Sequence, residues 1–258
     1  MSAEATLSRG GALLHVSLQD PKANVLSMAM MAEVEHALER HRAHADLKLV
    51  VVRGAGGNFS FGASVPEHRR ESAPRMLASF HRLVRTVASY PVPVAALVEG
   101  SCLGGAFELV LACSLVFATD TARFACPEVK LGVLPPVLCA IGHQRLGGPL
   151  ADRMILTGAA LDAERAAACG LVTERVPPNV DAEAWLLGWF DRELAPLSAF
   201  SLREATWAAR RGSGILERLG APLDALEARY LERLLPSHDG NEGIAAFLAK
   251  RAPAWTGA

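Results

Sequence analysis

A chain of 258 residues, 51% hydrophobic and 21% charged, can build a globular core, as one large domain or as a domain with an appendage. Its 26 Lys and Arg against 27 Asp and Glu leave a formal net charge of −1, with the signs interspersed. Short pairs such as Arg69–Arg70 and Arg210–Arg211 make no phosphate track, so no nucleic-acid partner is expected.

No run approaches the ~18 apolar residues of a membrane span, and the N-terminus has no charged segment followed by an apolar one. The five cysteines form no CxxC pair and the eight histidines form no HxxxH or HExxH arrangement, so no disulfide framework or metal site is expected. The expected setting is cytoplasmic.

Residues 12–18 alternate as an edge strand would, and Asp20-Pro21 closes it. Ser27 is placed to cap a helix with Met28, Met31, Val34 and Leu38 at helical spacing. Residues 47–52 form a continuous apolar run ending in Arg-Gly-Ala-Gly-Gly, the pattern of a buried strand entering a glycine loop. A helix follows over about 74–89, and 91–98 supply the next buried strand, with prolines at its entrance. A glycine turn, a short helix and strands over 115–118 and 123–125 come next. This recurrence predicts an α/β core over residues 1–177, with helices covering sheet faces.

After Pro177-Pro178 the pattern becomes helical: Trp185, Leu186, Trp189, Phe190 and Leu194, then Leu223, Leu226, Tyr230 and Leu234. Gly212-Ser213-Gly214 divides these helices. Residues 178–258 thus read as a helical C-terminal region whose aromatic stripes serve core or subunit contact.

The stretch from Val98 to Gly132 sets Glu108 and Glu128 within mostly apolar segments. Ionised acids are rarely buried without a partner or a task. Gly104-Gly105 opens a helix whose first amides are free for negative charge, and the loop 59–64 offers another amide. Two such amides on one oxygen would stabilise an oxyanion, with the acids moving protons. Taken alone, the glycines also fit tight helix–strand packing, Glu108 a first-turn acid favoured by the helix dipole, and Glu128 a helix-entry acid.

The segment GSCLGGAFELVLACSLVFATDTARFACPEVKLG resembles the signature of the crotonase (enoyl-CoA hydratase/isomerase) superfamily. There a helix bearing GGGxE is followed by a D-x-x-x-A strand and a PE-x-x-LG turn. Flanking pieces agree in order over nearly the whole chain, from Pro21-Lys-Ala-Asn-Val-Leu26 and Asn58-Phe-Ser-Phe-Gly-Ala-Ser64 to Glu242-Gly-Ile-Ala-Ala-Phe-Leu-Ala-Lys-Arg251. The resemblance implies an α/β, crotonase-like fold of repeated ββα units with a C-terminal helical region.

It also implies oxyanion-hole amides at Ala63 and Gly105, and the two hydratase acids at Glu108 and Glu128. Lys22 and Val25 fall where the family cradles the CoA adenosine, Ser64, Val65 and Pro66 where it lines the thioester site, and Lys250 where it would reach CoA phosphates. No metal or redox cofactor is implied, since CoA arrives as part of an acyl-CoA thioester substrate. A homotrimer or dimer of trimers is implied as well.

Three departures bear on the substrate. The usual GADIKE reads Gly62-Ala-Ser-Val-Pro-Glu67, the third glycine of the helix turn is Ala106, and the usual PGAGGTQRL becomes a longer, more apolar stretch from Val133 to Leu146. That stretch would suit a ring rather than a thin acyl chain. The pieces NFSFGASVPEH, CLGGAFE and Tyr230–Asp239 look most like the branch that hydrates a cyclic dienoyl-CoA thioester in anaerobic aromatic degradation. A generic enoyl-CoA hydratase or isomerase is the alternative, and an RNA-binding relative a remote one.

Overall fold

The computed structural model describes residues 2–21 and 23–258. Its strands are β1 (Ser2–Ser8), β2 (Leu13–Gln19), β3 (Leu49–Gly54), β4 (Val94–Val98), β5 (Ser101–Leu103), β6 (Leu115–Ala118), β7 (Arg123–Ala125), β8 (Leu161–Asp162) and β9 (Glu174–Arg175). The helices of the first part are α1 (Met28–His41), α2 (Ala73–Ala88), α3 (Gly105–Ala112), α4 (Pro136–Leu146), α5 (Gly148–Thr157) and α6 (Ala163–Ala168). Beyond them lie α7 (Ala182–Glu193), α8 (Ala199–Gly212), α9 (Ile215–Arg218), α10 (Ala221–Arg229) and α11 (His238–Leu248).

The main sheet has the order β1-β2-β3-β4-β6-β9, and a small one the order β5-β7-β8. β2 to β9 run parallel in the main sheet, whereas β1 is antiparallel to β2, with Ser2 opposite Gln19 and Ser8 opposite Leu13. β2 is therefore interior, which corrects the expectation of an edge strand over 12–18. The edge on this side is β1, a strand of mostly small and polar residues whose sequence carries little apolar alternation.

Period-two alternation sorts the buried strands onto two faces. Val50 and Val52 of β3, with Val94, Ala96 and Val98 of β4, join the core under α1, α2 and α3. Leu49, Val51, Ala95 and Leu97 point the other way, onto Leu186, Trp189 and Phe190 of α7. Phe117 of β6 meets Trp189 edge-on, 4.7 Å between ring centroids. The aromatic stripe after residue 178 is thus sheet-facing core at α7.

Ser27 caps α1 as expected, its Oγ accepting from Met30 N at 3.2 Å. The apolar stretch from Val133 does not form a loop throughout. From Pro136 it is α4, with proline in the first turn, where no intrahelical N–H is needed.

α3 is braced at its C-terminal end. Arg210 of α8 is 8% exposed, and its Nη2 donates to Ala112 O and to Ser114 Oγ, each at 2.8 Å. Ser114 stands where the family pattern opens the following strand with Asp, so this buried cation meets a hydroxyl and a helix-end carbonyl rather than a carboxylate. Arg210→Met keeps the apolar stem and strands both acceptors. It is expected to lower the unfolding free energy by about 2–3 kcal/mol, measured by urea denaturation.

Candidate active site

Three stretches of backbone build the site. The loop after β3 runs alongside β5: Ser60 N donates to Ser101 O, and Leu103 N donates to Ser60 O, each at 3.0 Å. Gly104 N donates to Ala125 O of β7 at 2.7 Å, and Leu26 N to Gly62 O at 2.9 Å. Two glycines are required here. Gly62 has φ 93°, and a Cβ on it would fall 2.5 Å from Leu103 O; Gly104 has φ 54°, and its Cβ would fall 2.9 Å from Glu128 Oε1. Ala63 and Gly105 come out side by side, Ala63 Cβ lying 3.5 Å from the position a Cβ on Gly105 would take. Neither amide has an acceptor among the hydrogen bonds of the described residues, and Gly105 opens α3, where the first N–H groups have no intrahelical partner.

The two acids sit on neighbouring elements. Glu108 lies in the first turn of α3 and is 3% exposed; Glu128 opens the single-turn 3₁₀ helix Glu128–Leu131 and is 9% exposed. Glu108 Oε1 accepts from Val137 N at 2.7 Å and Leu138 N at 2.9 Å, the first free amides of α4. Burial pushes the Glu108 carboxyl up from its ordinary 4.5 to about 7, while these two donors pull it back down. Glu128 is raised well above the carboxylate range, first by burial and then by repulsion from Glu108. Its Oε2 has no hydrogen-bond partner among the described residues. Near neutral pH the pair therefore carries one acid that holds its proton and one poised to lose it.

Between the acids lies a chamber of about 20 Å³, walled by Phe80, Leu77, Leu134 and Pro136 and reached by Ala63, Gly105, His68 and Tyr230. That is room for one water. It adjoins an apolar cleft of about 620 Å³ that Ala63, Gly105 and Glu128 also border. The cleft is also lined by Val25, Phe61 and Val65, by Phe247 of α11, and by Arg251 and Pro253 beyond it. α11 is pressed close: a Cβ on Gly243 would fall 2.2 Å from Leu131 O.

The residues named from sequence divide into three groups. Glu108, Glu128, Ala63, Gly105, Val25 and Val65 are brought together around cleft and chamber. Ser64 and Pro66 lie in the same loop outside the cleft wall, Ser64 O accepting from His68 Nδ1 at 2.9 Å. Lys250 is exposed and also outside the wall, where its neighbour Arg251 stands instead, its guanidinium donating to Glu242 at 2.5 and 2.7 Å. Lys22 lies outside the described residues.

Two chamber residues, His68 and Tyr230, fall in the quoted pieces of the resemblance but were given no site role from sequence. His68 is kept neutral by burial, and its Nδ1 bond to Ser64 leaves Nε2 as an acceptor. Tyr230 follows the helical spacing of Leu223 and Leu226, so its pattern shows only a packed face. The signal available for His68 was its place beside the glycine loop.

Comparison with known proteins places the chain in a family. The family described as Enoyl-CoA hydratase/isomerase matches residues 8–258. Cyclohexa-1,5-dienecarbonyl-CoA hydratase of Thauera aromatica is 41% identical over 249 residues, covering 96% of this chain and 95% of that one. The 2,3-dehydroadipyl-CoA hydratase of Escherichia coli is 31% identical, covering 98% and 99%. Among solved structures, an enoyl-CoA hydratase from Mycobacterium avium subsp. paratuberculosis superposes with a TM-score of 0.86 at 29% identity, covering 99% of each chain. With a family match running from residue 8 to the last residue, the chain belongs to the enoyl-CoA hydratase/isomerase family and has the crotonase fold.

Proposed function

We propose that the protein is a hydro-lyase that adds water to a cyclic conjugated dienoyl-CoA thioester, converting cyclohexa-1,5-diene-1-carbonyl-CoA to 6-hydroxycyclohex-1-ene-1-carbonyl-CoA. The observation that carries the reading is the one-water chamber between two buried carboxyls, beside two free amides. The ring is supported by the mostly apolar cleft and by the 41% identity to a hydratase of that name. The setting that goes with it is cytoplasmic degradation of aromatic compounds by a homotrimer or dimer of trimers.

In this mechanism the thioester oxygen accepts from the amides of Ala63 and Gly105. Each donor stabilises the developing enolate by roughly 3 kcal/mol. Glu108, held by the α4 amides in the orientation that favours its charge, takes a proton from the chamber water as the water oxygen bonds to carbon. Glu128, kept protonated by burial and by Glu108, delivers its proton to a ring carbon. One double bond is consumed and no cofactor is needed, since CoA is part of the substrate. Val25 and Val65 line the approach, Ser64 and Pro66 sit in the same loop outside its wall, and Lys22 and Lys250 are the cations proposed for the CoA phosphates, with Arg251, paired to Glu242, at the cleft wall.

Glu108→Gln and Glu128→Gln are each expected to lower kcat by about 10²- to 10⁴-fold while the far-UV circular dichroism is unchanged. Near-normal hydration by either variant would reject the two-acid mechanism. The pH profile of kcat/KM is expected to rise toward about 7 as Glu108 ionises and to fall at higher pH as Glu128 loses its proton.

Stability should move the opposite way to the rising limb. Both carboxyls are raised by folding, so their contribution is present below about 4.5; the Glu108 part is lost as pH rises toward about 7, and the Glu128 part is lost at higher pH. Thermal melts at pH 8 should therefore show Glu128→Gln at least as stable as the parent, an advantage that fades toward pH 4. A panel of CoA thioesters with product identification tests the substrate. Preference for the cyclic dienoyl thioester over crotonyl-CoA is expected, and a strong preference for crotonyl-CoA would replace the ring by a short acyl chain.

A further inference from the structure

The chamber between the acids has a third polar neighbour. Tyr230 is 1% exposed and lines the chamber together with Glu108 and Glu128. Its hydroxyl is buried and has no hydrogen-bond partner among the described residues. Leaving a phenol hydroxyl unpaired in an apolar setting forfeits its hydration without replacement. Buried tyrosines ordinarily find a partner, as Tyr90 does here by donating to Leu38 O at 2.8 Å.

The backbone at Tyr230 is unusual too. α10 ends at Arg229 and passes into a π-helical turn, Tyr230–Leu234, that begins at this residue. Such turns rotate the side chains that follow and are frequent at functional sites. Packing on Met76 and Leu77 of α2 then holds the ring against the chamber wall.

We propose that Tyr230 is the third contact of the attacking water, its hydroxyl donating a hydrogen bond to the oxygen held between Glu108 and Glu128. Water has two protons to give and two lone pairs to fill. Glu108 accepts one proton, the carbon being attacked takes one lone pair, and Tyr230 occupies the other, fixing the direction of attack. The tyrosine transfers no proton. Burial, reinforced by the two carboxyl groups beside it, pushes its hydroxyl above the ordinary phenol range, so it remains a donor throughout the cycle. The walls supply no other hydroxyl, and the remaining polar side chain, neutral His68, presents an acceptor.

This inference rests on the hydration reading, and one experiment separates the two. Parent, Tyr230→Phe and Tyr90→Phe are compared on the cyclic dienoyl thioester and on crotonyl-CoA, together with thermal melts of the ligand-free proteins. Tyr230→Phe is expected to lower kcat about tenfold to a hundredfold with KM within twofold and Tm unchanged or raised. Tyr90→Phe, which loses a satisfied structural bond, should lower Tm and leave kcat in place. Unaltered kcat in Tyr230→Phe, or a fall in its Tm like that of Tyr90→Phe, overturns the assignment while the hydratase reading stands. Failure of the parent to hydrate any of these thioesters overturns that reading and this one with it.

Discussion

Two carboxyl groups enclosed in one apolar chamber lose their hydration and repel each other, and the rest of the site is arranged around that conflict. The contact that resolves it is the pair of amides from Val137 and Leu138 on Glu108 Oε1. They are the free end of α4, so the charge is met by a helix terminus rather than by a cation that would quench its basicity. Glu128 receives no such help at Oε2. Like groups in unlike surroundings are thereby driven toward unlike protonation states, which the proposed proton traffic requires.

Holding α3 against α4 accordingly matters more than any single wall residue. α3 carries Glu108 in its first turn and ends at Ala112, where Arg210 reaches in from α8. Arg145, at the far end of α4, donates to the adjoining Cys113 O at 3.4 Å. The acid and the cations sit at opposite ends of one short, fully buried helix, each on the side its dipole favours. Distant helices of the C-terminal region therefore contribute to the geometry of the acid pair without touching the chamber.

The proposed oxyanion frame follows from sheet topology. The loop after β3, in the main sheet, and the turn after β5, in the small one, run side by side at the carboxyl ends of their strands, where α/β sheets commonly place ligands. Gly62 and Gly104 allow a separation that a side chain would block. The cleft outside is walled partly by α11 and the segment after it, so the proposed chemistry and the proposed substrate choice belong to different parts of the chain. The acids and amides come from residues 63–128, whereas the approach for a CoA thioester is finished by residues near 247–253.

Much of this was legible in the residues. Continuous apolar runs marked β3 and β4, Ser27 marked the start of α1, and two acids in an apolar stretch with a glycine pair marked the site. Periodicity and the cost of burying charge are local rules, and they act the same way wherever the segment ends up. Three things were settled only by the folded chain. β1 became the sheet edge because pairing, not apolar pattern, holds it there. The stretch from Val133 became a helix whose end serves Glu108, a partnership between residues 29 apart that no spacing rule encodes. Tyr230, which helical spacing assigns to packing alone, lines the acid chamber at the start of the π-helical turn after α10. The sequence by itself determined which groups were costly to bury, while the tertiary structure decided which of them face one another, because facing depends on where separate elements cross.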